Sequence, residues 1–393
     1  MVIKNLKLTN YNFYLSLIYF VWAISILTYF FLNGVKFGGD TYFYLGNAKE
    51  ILNGEQSILS YRSAYGFILL LLPFVYFDIP LEFLVLIQIL LTALSAWCLY
   101  KISSKFFSKL SGILCAVLFL FYLPLLFLNI YILTDTLFLN LIIVLTYLFV
   151  CFKKTYLPMI VLIALAVITI RPNGILFLFS IMICTFFFLI NNKKYLYLSL
   201  YSFVLIILLL PIINILNSYI VDLNLINSIS NQGIIWGYSF ENSSSCSKSC
   251  LSVELINENF ENNIIGIFKF ISINFVSYLK IFLLKVFWLL FRARPYYSDL
   301  HNLYIIIYDI ILYLSFIYGF LKRPRNNFSA SVILLFILLS IILVGLTFAD
   351  WDGRFSLYFL PLIMIFSSYG LLIFIKKILN MINQKWNNYT KST

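Results

Sequence analysis

Residues 329–348 read SASVILLFILLSIILVGLTF, twenty consecutive positions without a charged side chain. Twenty residues of α-helix are about 30 Å long, which matches the thickness of the hydrocarbon core of a bilayer. The stretch therefore predicts a helix that crosses a membrane.

Similar apolar runs recur along the whole chain. Together with the first they number twelve: 12–32, 63–77, 81–100, 110–128, 134–152, 156–170, 173–190, 195–214, 264–291, 303–321, 329–348 and 355–375. Only helices and closed β-barrels cross lipid, and the runs lack the two-residue alternation of a barrel strand. We therefore expect an all-α polytopic membrane protein.

The composition excludes several other classes of protein. Hydrophobic residues make up 63% of the 393 positions and charged residues 11%, against about 45–50% and about 25% in soluble domains. A soluble, disordered or collagenous chain would not have this composition. The single histidine excludes a multi-histidine metal site, and six cysteines in so long a chain do not form a disulfide scaffold.

The basic residues are clustered between the apolar runs, and these clusters predict the topology. Six clusters hold 16 of the 27 bases: Lys4/Lys7, Lys101/Lys105/Lys109, Lys153/Lys154, Lys193/Lys194, Lys322/Arg323/Arg325 and Lys376/Lys377/Lys385/Lys391. The positive-inside rule places all six in the cytoplasm. The net charge of +12 is then a topology signal and requires no nucleic-acid partner.

Clusters on one side of the membrane must be separated by an even number of crossings. The run 63–77 is short and contains Pro73, so we interpret it as a helix that dips into the membrane without crossing. The run 264–291 carries three lysines, and we interpret it as an amphipathic helix in the outer interface. About ten spans remain, with both termini cytoplasmic, and all 15 acids lie outside or in the outer half of a span.

This topology divides the chain into three parts. Residues 1–214 form a transmembrane module whose first outer loop is 33–80. Residues 215–302 form a large outer loop that includes the interfacial helix 264–291. Residues 303–393 form a C-terminal transmembrane module and a cytoplasmic tail.

Two outer carboxylates are expected at the same membrane level. Asp40 follows Gly38-Gly39 just after the first span, and Asp135 begins the span 134–152. Taken singly, each is equally well explained as a residue that caps a helix N-terminus. Two convergent carboxylates indicate base chemistry or a divalent cation held between Asp40 and Asp135.

Five outer bases are arginines, although the positive-inside rule disfavours bases there. Singly, each is explained by snorkelling to the interface or by pairing with a nearby acid. Arginine also grips phosphate with a rigid fork of donors, so five of them beside two carboxylates favour a lipid-phosphate site. They are Arg62, Arg171, Arg292, Arg294 and Arg354.

Five further outer residues are weaker candidates. Tyr44, Tyr61 and His301 could contact a sugar or an acceptor, although aromatic side chains are also common at membrane interfaces. Cys246 and Cys250 lie in the large outer loop, and an oxidising compartment would allow a disulfide between them.

The order of these features resembles the GT-C superfamily of polytopic glycosyltransferases, in particular the protein O-mannosyltransferases and the lipid A aminoarabinose transferases. The resemblance departs from the mannosyltransferases at Asp40-Thr41, where they have Asp-Glu, and at Ser63-Ala64, where they have two prolines. The matching motifs are Asp40 with Tyr44 and Ala48, Tyr61-Arg62 before Tyr65-Gly66-Phe67, Thr134-Asp135, Arg171-Pro172, and Arg354-Phe355 with Pro361.

The resemblance implies a sugar donor linked to polyprenyl phosphate and drawn from the outer leaflet. An acceptor glycan, lipid or protein would attack the sugar with inversion, Asp40 would accept its proton, and Asp135 would orient the acceptor or assist the base. Arg62 and Arg354 would hold the phosphate and stabilise its developing charge, with Arg171 or Arg292 and Arg294 as further candidates. No cofactor is required, although a divalent cation is compatible with the site, and the absence of a glycine-rich nucleotide loop agrees with a lipid-linked donor.

Two other classes of membrane protein remain as alternatives. A polysaccharide polymerase or ligase would share the outer arginines and the large outer loop, without needing an acid directly after the first span. A transporter or flippase for lipid-linked sugars would need polar groups deep within several spans. The lysine- and asparagine-rich composition suggests an AT-rich bacterial genome, and therefore an inner membrane with the site facing the periplasm, although an endoplasmic-reticulum membrane satisfies the same topology.

Overall fold

The computed structural model describes residues 11–55, 64–202, 217, 260–261, 263–294, 297–323, 327–347 and 353–392. Within these ranges the regular structure is helical, and the only β-type pairing is an isolated parallel bridge between Lys36 and Tyr131. The predicted all-α class is confirmed.

The described residues form fourteen labelled α-helices, three 3₁₀ turns and a helical stretch at 195–202. The 3₁₀ turns are Lys154–Tyr156, Pro172–Gly174 and Arg354–Tyr358. The helices are α1 Tyr11–Asn33, α2 Gly39–Leu52, α3 Tyr65–Tyr76, α4 Glu82–Phe106, α5 Lys109–Leu120, α6 Leu123–Leu128, α7 Thr134–Val150, α8 Leu157–Ile170, α9 Ile175–Asn191, α10 Ile264–Ile273, α11 Phe275–Leu290, α12 Asp299–Leu321, α13 Phe328–Leu346 and α14 Leu360–Ser392.

Several of these helices are long and apolar enough to cross a membrane. Among the described residues there are 6, or up to 7 if the bent pair α10 and α11 counts as one span. The chain is therefore a multi-pass α-helical membrane protein. Other apolar helices have 10–17 residues, so the predicted count of about ten spans stays a prediction. The six are Tyr11–Asn33, Glu82–Phe106, Pro172–Asn191, Asp299–Leu321, Phe328–Leu346 and Leu360–Gln384.

The predicted single helix over 264–291 is wrong, because the chain bends by 103° between α10 and α11. The bend lies at Asn274, which is buried and whose backbone leaves the helical region, with φ −98° and ψ 23°. Its Nδ2 and its amide both donate to the carbonyl of Phe270, at 3.1 and 3.0 Å, and its carbonyl accepts from the Tyr278 amide of the second helix at 2.7 Å. Asparagine forms local side-chain bonds to the backbone of this kind and is therefore favoured at helix ends over helix interiors.

The run 110–128 is also interrupted. Helix α5 ends at Leu120 and α6 begins at Leu123, with Pro124 in its first turn. Proline is tolerated in a first turn, where its missing N–H is not needed, but it disfavours a continuous helix through the preceding residues. The run therefore forms two short helices, and the longer one has 12 residues.

The described helices belong to two compact units. The first contains Met1–Ile175, Ile310–Ser329 and Leu357–Thr393, and the second contains Leu176–Asp309 and Ala330–Ser356.

Helix α7 is the core of the first unit, with 14 of its 17 residues buried. It packs against α4, α6 and α8. Polar side chains join it to its neighbours: Asn140 Nδ2 donates to Thr92 Oγ1 at 3.0 Å, and Thr92 Oγ1 donates to Asn129 Oδ1 at 2.6 Å. Buried hydrogen bonds of this kind help to hold helices together in lipid, where apolar contacts alone give little preference for protein over lipid tails.

Small residues bring other helices of the first unit into close contact. The hydroxyls of Ser103, Ser111 and Ser368 lie 2.9 to 3.1 Å from one another and join α4, α5 and α14. Where α12 meets α14, a Cβ atom on Gly370 would overlap the carbonyl oxygen of Ser315, and a Cβ on Gly319 would overlap that of Phe366. These backbones touch directly, as in small-residue packing between transmembrane helices.

Charges of opposite sign lie at the two ends of α7. Asp135 is in its first turn, whereas Lys105 Nζ donates to the carbonyl of Val150 at its last residue, and Lys153 and Lys154 follow. Seventeen helical residues separate the ends by about 25 Å. Asp135 and the three lysines therefore lie at opposite ends of α7, and the predicted orientation of these ends in the membrane stays a prediction.

In the second unit, α13 packs against both α9 and α11. The rings of Phe177 and Phe336 meet edge to face at 5.6 Å, and the Tyr278 hydroxyl donates to the carbonyl of Leu346 at 2.7 Å. A Cβ atom on Gly345 would collide with the ring of Phe282.

Substituting Gly370→Ala should destabilise the first unit, because the added methyl group has no space against the α12 backbone. Overpacking of this kind costs typically about 1–3 kcal/mol. The matched control is Gly46→Ala, also within a helix, where an added Cβ meets nothing within 4 Å. The thermal unfolding midpoint of each variant in detergent checks the prediction, and equal midpoints would contradict the packing described for α12 and α14.

Candidate functional site

Asp135 lies at the start of α7 and is only 1% exposed. Its Oδ1 accepts a hydrogen bond from the Tyr358 hydroxyl at 2.7 Å, and its Oδ2 lies 2.9 Å from Arg171 Nη2. The helix N-terminus adds a favourable field for a negative charge. A buried carboxylate needs such partners, since desolvation strongly disfavours an isolated charge.

Arg171 follows α8 and has an extended backbone, with φ −148° and ψ 133°. Pro172 favours this conformation because its ring disfavours a helical residue before it. One edge of the guanidinium is used twice: Nε donates to Thr134 Oγ1 at 2.7 Å, and Nη2 pairs with Asp135. The side chain is 15% exposed, so Arg171 is less deeply buried than the carboxylate that holds it.

Tyr358 completes this buried group. Its ring lies 5.0 Å from the Arg171 guanidinium and meets the ring of Phe138 edge to face at 4.9 Å. The hydroxyl donates to Asp135. The ring of Tyr358 therefore contacts Arg171 and its hydroxyl bonds to Asp135, so one side chain contacts both members of the ion pair.

The segment before α2 is attached to the segment before α7. The Lys36 amide donates to the carbonyl of Ile130 at 2.9 Å, next to the bridge between Lys36 and Tyr131. Thr41 Oγ1 donates to the carbonyl of Ile132 at 2.8 Å and accepts from the Gly38 amide at 2.9 Å. These bonds bring the first turn of α2 next to the first turn of α7.

Asp40 and Tyr44 are consequently close to the buried pair. Asp40 is exposed in the first turn of α2, and Tyr44 follows one turn later with a buried ring. The Tyr44 hydroxyl is hydrogen-bonded with the Thr134 side chain. It is close enough to Asp40, Asp135 and Arg171 for their charges to affect its pKa. Burial raises the pKa of Tyr44 above its ordinary value. The hydroxyl therefore stays protonated at neutral pH and bonds to Thr134, which in turn accepts from Arg171.

Helix α3 supports Tyr44 from the other side. The ring of Phe67 meets Tyr44 edge to face at 5.2 Å. A Cβ atom on Gly66 would overlap Thr169 of α8, so Gly66 allows the close approach of these two helices. With 12 residues α3 has the shortness expected of the dipping helix, but its membrane depth stays a prediction.

Four predicted site residues lie outside the described residues, namely Tyr61, Arg62, Cys246 and Cys250. Their roles stay predictions. The structure brings together four others, Asp40, Tyr44, Asp135 and Arg171.

Three further predicted arginines belong to the second unit. Arg292 Nη2 bonds to Asp309 Oδ1, and Nε lies 3.4 Å from Oδ2, with both side chains buried. Arg294 Nη1 donates to the carbonyl of Trp288 at 2.8 Å and so satisfies the C-terminal end of α11. Gly353, at φ 76°, packs against the Arg292 side chain.

Two further predicted residues are partly exposed in the second unit. Arg354 begins the 3₁₀ turn Arg354–Tyr358. The ring of His301 stacks on Tyr297, with centroids 4.5 Å apart and planes at 8°. The proposed substrate contacts of Arg354 and His301 stay predictions.

The residues around Asp135 do not form a metal-ligand set. Across the described residues there is no group of three or more His, Cys, Asp or Glu side chains placed to hold a metal ion. Both carboxylate oxygens of Asp135 accept from hydrogen-bond donors, namely the Tyr358 hydroxyl and the Arg171 guanidinium. This arrangement fits a salt-bridged carboxylate better than a ligand of a divalent ion.

The sequence reasoning missed Tyr358. It lies in the apolar stretch RFSLYFLPL at 354–362, and 29 tyrosines occur in the chain. A tyrosine near a predicted membrane interface has an adequate explanation in the aromatic belt. Only the pairing of its hydroxyl with a residue 223 positions away distinguishes it.

No protein-family model matches this chain, and neither a curated protein nor a solved structure matches it.

The pairing of Asp135 with Arg171 predicts strong coupling between the two side chains. Asp135→Asn and Arg171→Gln should each lower the unfolding free energy, since breaking a buried pair costs about 3–5 kcal/mol. The double variant should lose less unfolding free energy than the two single variants lose in sum, because neither charge is then left buried alone.

Thermal and denaturant unfolding of the detergent-solubilised variants measures this coupling. Lys153→Gln with Glu82→Gln serves as a control pair. These two residues are distant in sequence, and among the described residues no ion pair joins them. Strictly additive losses for Asp135 and Arg171 would contradict the salt bridge.

Proposed function

We propose that this chain is an integral membrane glycosyltransferase of the GT-C type, with a sugar on polyprenyl phosphate as its donor. It has about ten spans and cytoplasmic termini, and it acts on the periplasmic face of a bacterial inner membrane. One observation carries the proposal: the exposed carboxylate of Asp40 lies beside the group Tyr44, Thr134, Asp135 and Arg171.

Asp40 is the catalytic base in this proposal. An acceptor hydroxyl or amine attacks the anomeric carbon, and a new bond forms there. The bond from that carbon to the phosphate oxygen breaks, and polyprenyl phosphate leaves with the bonding electrons and with inversion. Asp40 takes the acceptor proton, and a placed base contributes typically about 10²–10⁴-fold.

The environments of the two acids support this division of roles. Asp40 is exposed and can meet an acceptor, whereas Asp135 is buried and bonded to Tyr358 and Arg171. Two carboxylates in different surroundings commonly have different roles in one site. Asp135 is therefore assigned the task of positioning the basic side chain.

Arg171 supplies a cation at this site, where it bonds to Thr134 and Asp135. A preorganised guanidinium stabilises the negative charge that develops on a departing phosphate. The phosphate contacts predicted for Arg62 and Arg354 stay predictions. Arg292 and Arg294 are weaker candidates for a substrate contact, because an acid and backbone carbonyls already use several of their donors.

No metal is needed for this reaction, since arginine alone can neutralise a departing monophosphate. The alternative of a divalent cation between Asp40 and Asp135 would require Asp135 to release its present partners. A sugar transporter receives little support from Asp309, the acid within α12, because Arg292 neutralises it. A polymerase or ligase shares the donor chemistry but gives no reason for an acid at position 40.

Substituting Asp40→Asn should stop consumption of the donor without preventing folding. Lipid mass spectrometry on membranes with the wild-type protein, with Asp40→Asn and with no protein checks this. A polyprenyl-phosphate sugar should accumulate equally in the variant and in the null strain, and its mass identifies the sugar.

The matched control is Asp78→Asn, an exposed acid in the turn after α3 with φ 52°, a conformation that asparagine also tolerates. Its lipid profile should equal that of wild type. If Asp40→Asn also equals wild type while the null strain differs, the transferase assignment fails and the polymerase or transporter alternatives gain support.

A further inference from the structure

Tyr358 is joined to the candidate site by its hydroxyl and by its ring. The hydroxyl donates to Asp135 at 2.7 Å, and the ring lies under the Arg171 guanidinium at 5.0 Å. Its own orientation is fixed by Phe138, and the side chain is 4% exposed. No group of the substrate could reach such a buried hydroxyl without displacing this packing.

Arg171 is held on two sides by the residues of the candidate site. The Nε and Nη2 edge faces Thr134 and Asp135, and one face of the guanidinium plane lies over Tyr358. The side chain is nevertheless 15% exposed. A guanidinium fixed by an edge and a face has little rotational freedom left, which reduces the entropy lost when it binds a phosphate.

We propose that Tyr358 is a positioning residue that fixes Arg171, through Asp135 and through its ring, against the phosphate of the lipid-linked donor. This inference rests on the proposed function and names the residue that orients its phosphate-binding arginine. Tyr358 itself does not touch the substrate. Tyr358 lies just before α14, and its bond to Asp135 connects this segment to the start of α7. The pairing of Asp135 with Arg171 extends the connection to the end of α8.

The two contacts of Tyr358 can be separated by substitution. Tyr358→Phe keeps the ring under Arg171 and removes the hydroxyl from Asp135, whereas Tyr358→Leu removes both. Because charge on the phosphate develops as the sugar leaves, misplacing Arg171 should lower kcat more than it raises KM. A small misplacement of a catalytic group can cost about 10²-fold, so we expect a loss of roughly ten- to hundredfold for Tyr358→Phe and a larger loss for Tyr358→Leu.

The test uses membrane vesicles from the null strain that carry equal amounts of each full-length variant. The probe is the polyprenyl-phosphate sugar fraction extracted from the null strain, and its consumption gives kcat and KM. Tyr369→Phe is the control, since that ring stacks on Phe107 at 4.3 Å and lies on α14 outside the site. Its kcat should equal that of wild type.

A double-variant series shows whether Tyr358 acts through Arg171. Arg171→Lys keeps the positive charge but cannot donate to Thr134 and Asp135 from one planar edge as Arg171 does. This variant should therefore already lose the part of kcat that depends on the orientation of Arg171. Adding Tyr358→Phe to Arg171→Lys should then lower kcat by less than twofold, within the spread of independent effects. The unfolding midpoint of Tyr358→Phe, measured in parallel, identifies any loss that comes from misfolding.

Three results would overturn the inference. Tyr358→Phe with the kcat of wild type would show that the hydroxyl orients nothing of consequence. Losses that multiply fully in the double variant would show that Tyr358 does not act through Arg171. Wild-type vesicles that consume no donor would overturn the proposed function, and this inference with it, whereas the first two results leave the transferase assignment standing.

Discussion

The carboxylate of Asp135 is buried at the start of the most buried helix of its unit, and it must be neutralised there. Removing a charge from water costs several kcal/mol even after relaxation of its surroundings, so the carboxylate is stable only with close partners. Arg171 and the Tyr358 hydroxyl are those partners. Satisfying one buried charge thus joins the start of α7, the end of α8 and the turn before α14.

The same end of the unit is completed by backbone bonds. Lys36 and Thr41 bond to the carbonyls of Ile130 and Ile132, which fixes α2 beside α7 and leaves Asp40 exposed next to the buried pair. The lysines at the other end of α7 keep that end distinct. In the proposed reaction, Asp40 at this end is the base that meets the acceptor, and Arg171 is the cation that meets the phosphate of the donor.

The helical class was predictable from the apolar runs, and the positions of three charged residues of the candidate site were predictable from where charges interrupt those runs. Asp40, Asp135 and Arg171 stand at run boundaries, and lipid confines such residues to the ends of helices or to paired positions. The break at Asn274 and the division of 110–128 were not predicted, because hydropathy does not register side-chain bonds to the backbone or the geometry before Pro124. Tyr358 could not be found either, since its role depends on a partner 223 residues away.

Native mass spectrometry tests most directly whether Arg171 binds the lipid-linked donor and Asp40 is needed to consume it. The protein is purified by gentle release from membranes of cells that make the donor. The account predicts that Asp40→Asn retains a bound polyprenyl-phosphate sugar, because the variant keeps Arg171 and lacks only the base, and that Arg171→Gln loses this lipid. An Asp40→Asn protein without such a lipid, or an Arg171→Gln protein that carries as much of it as Asp40→Asn, would contradict the account.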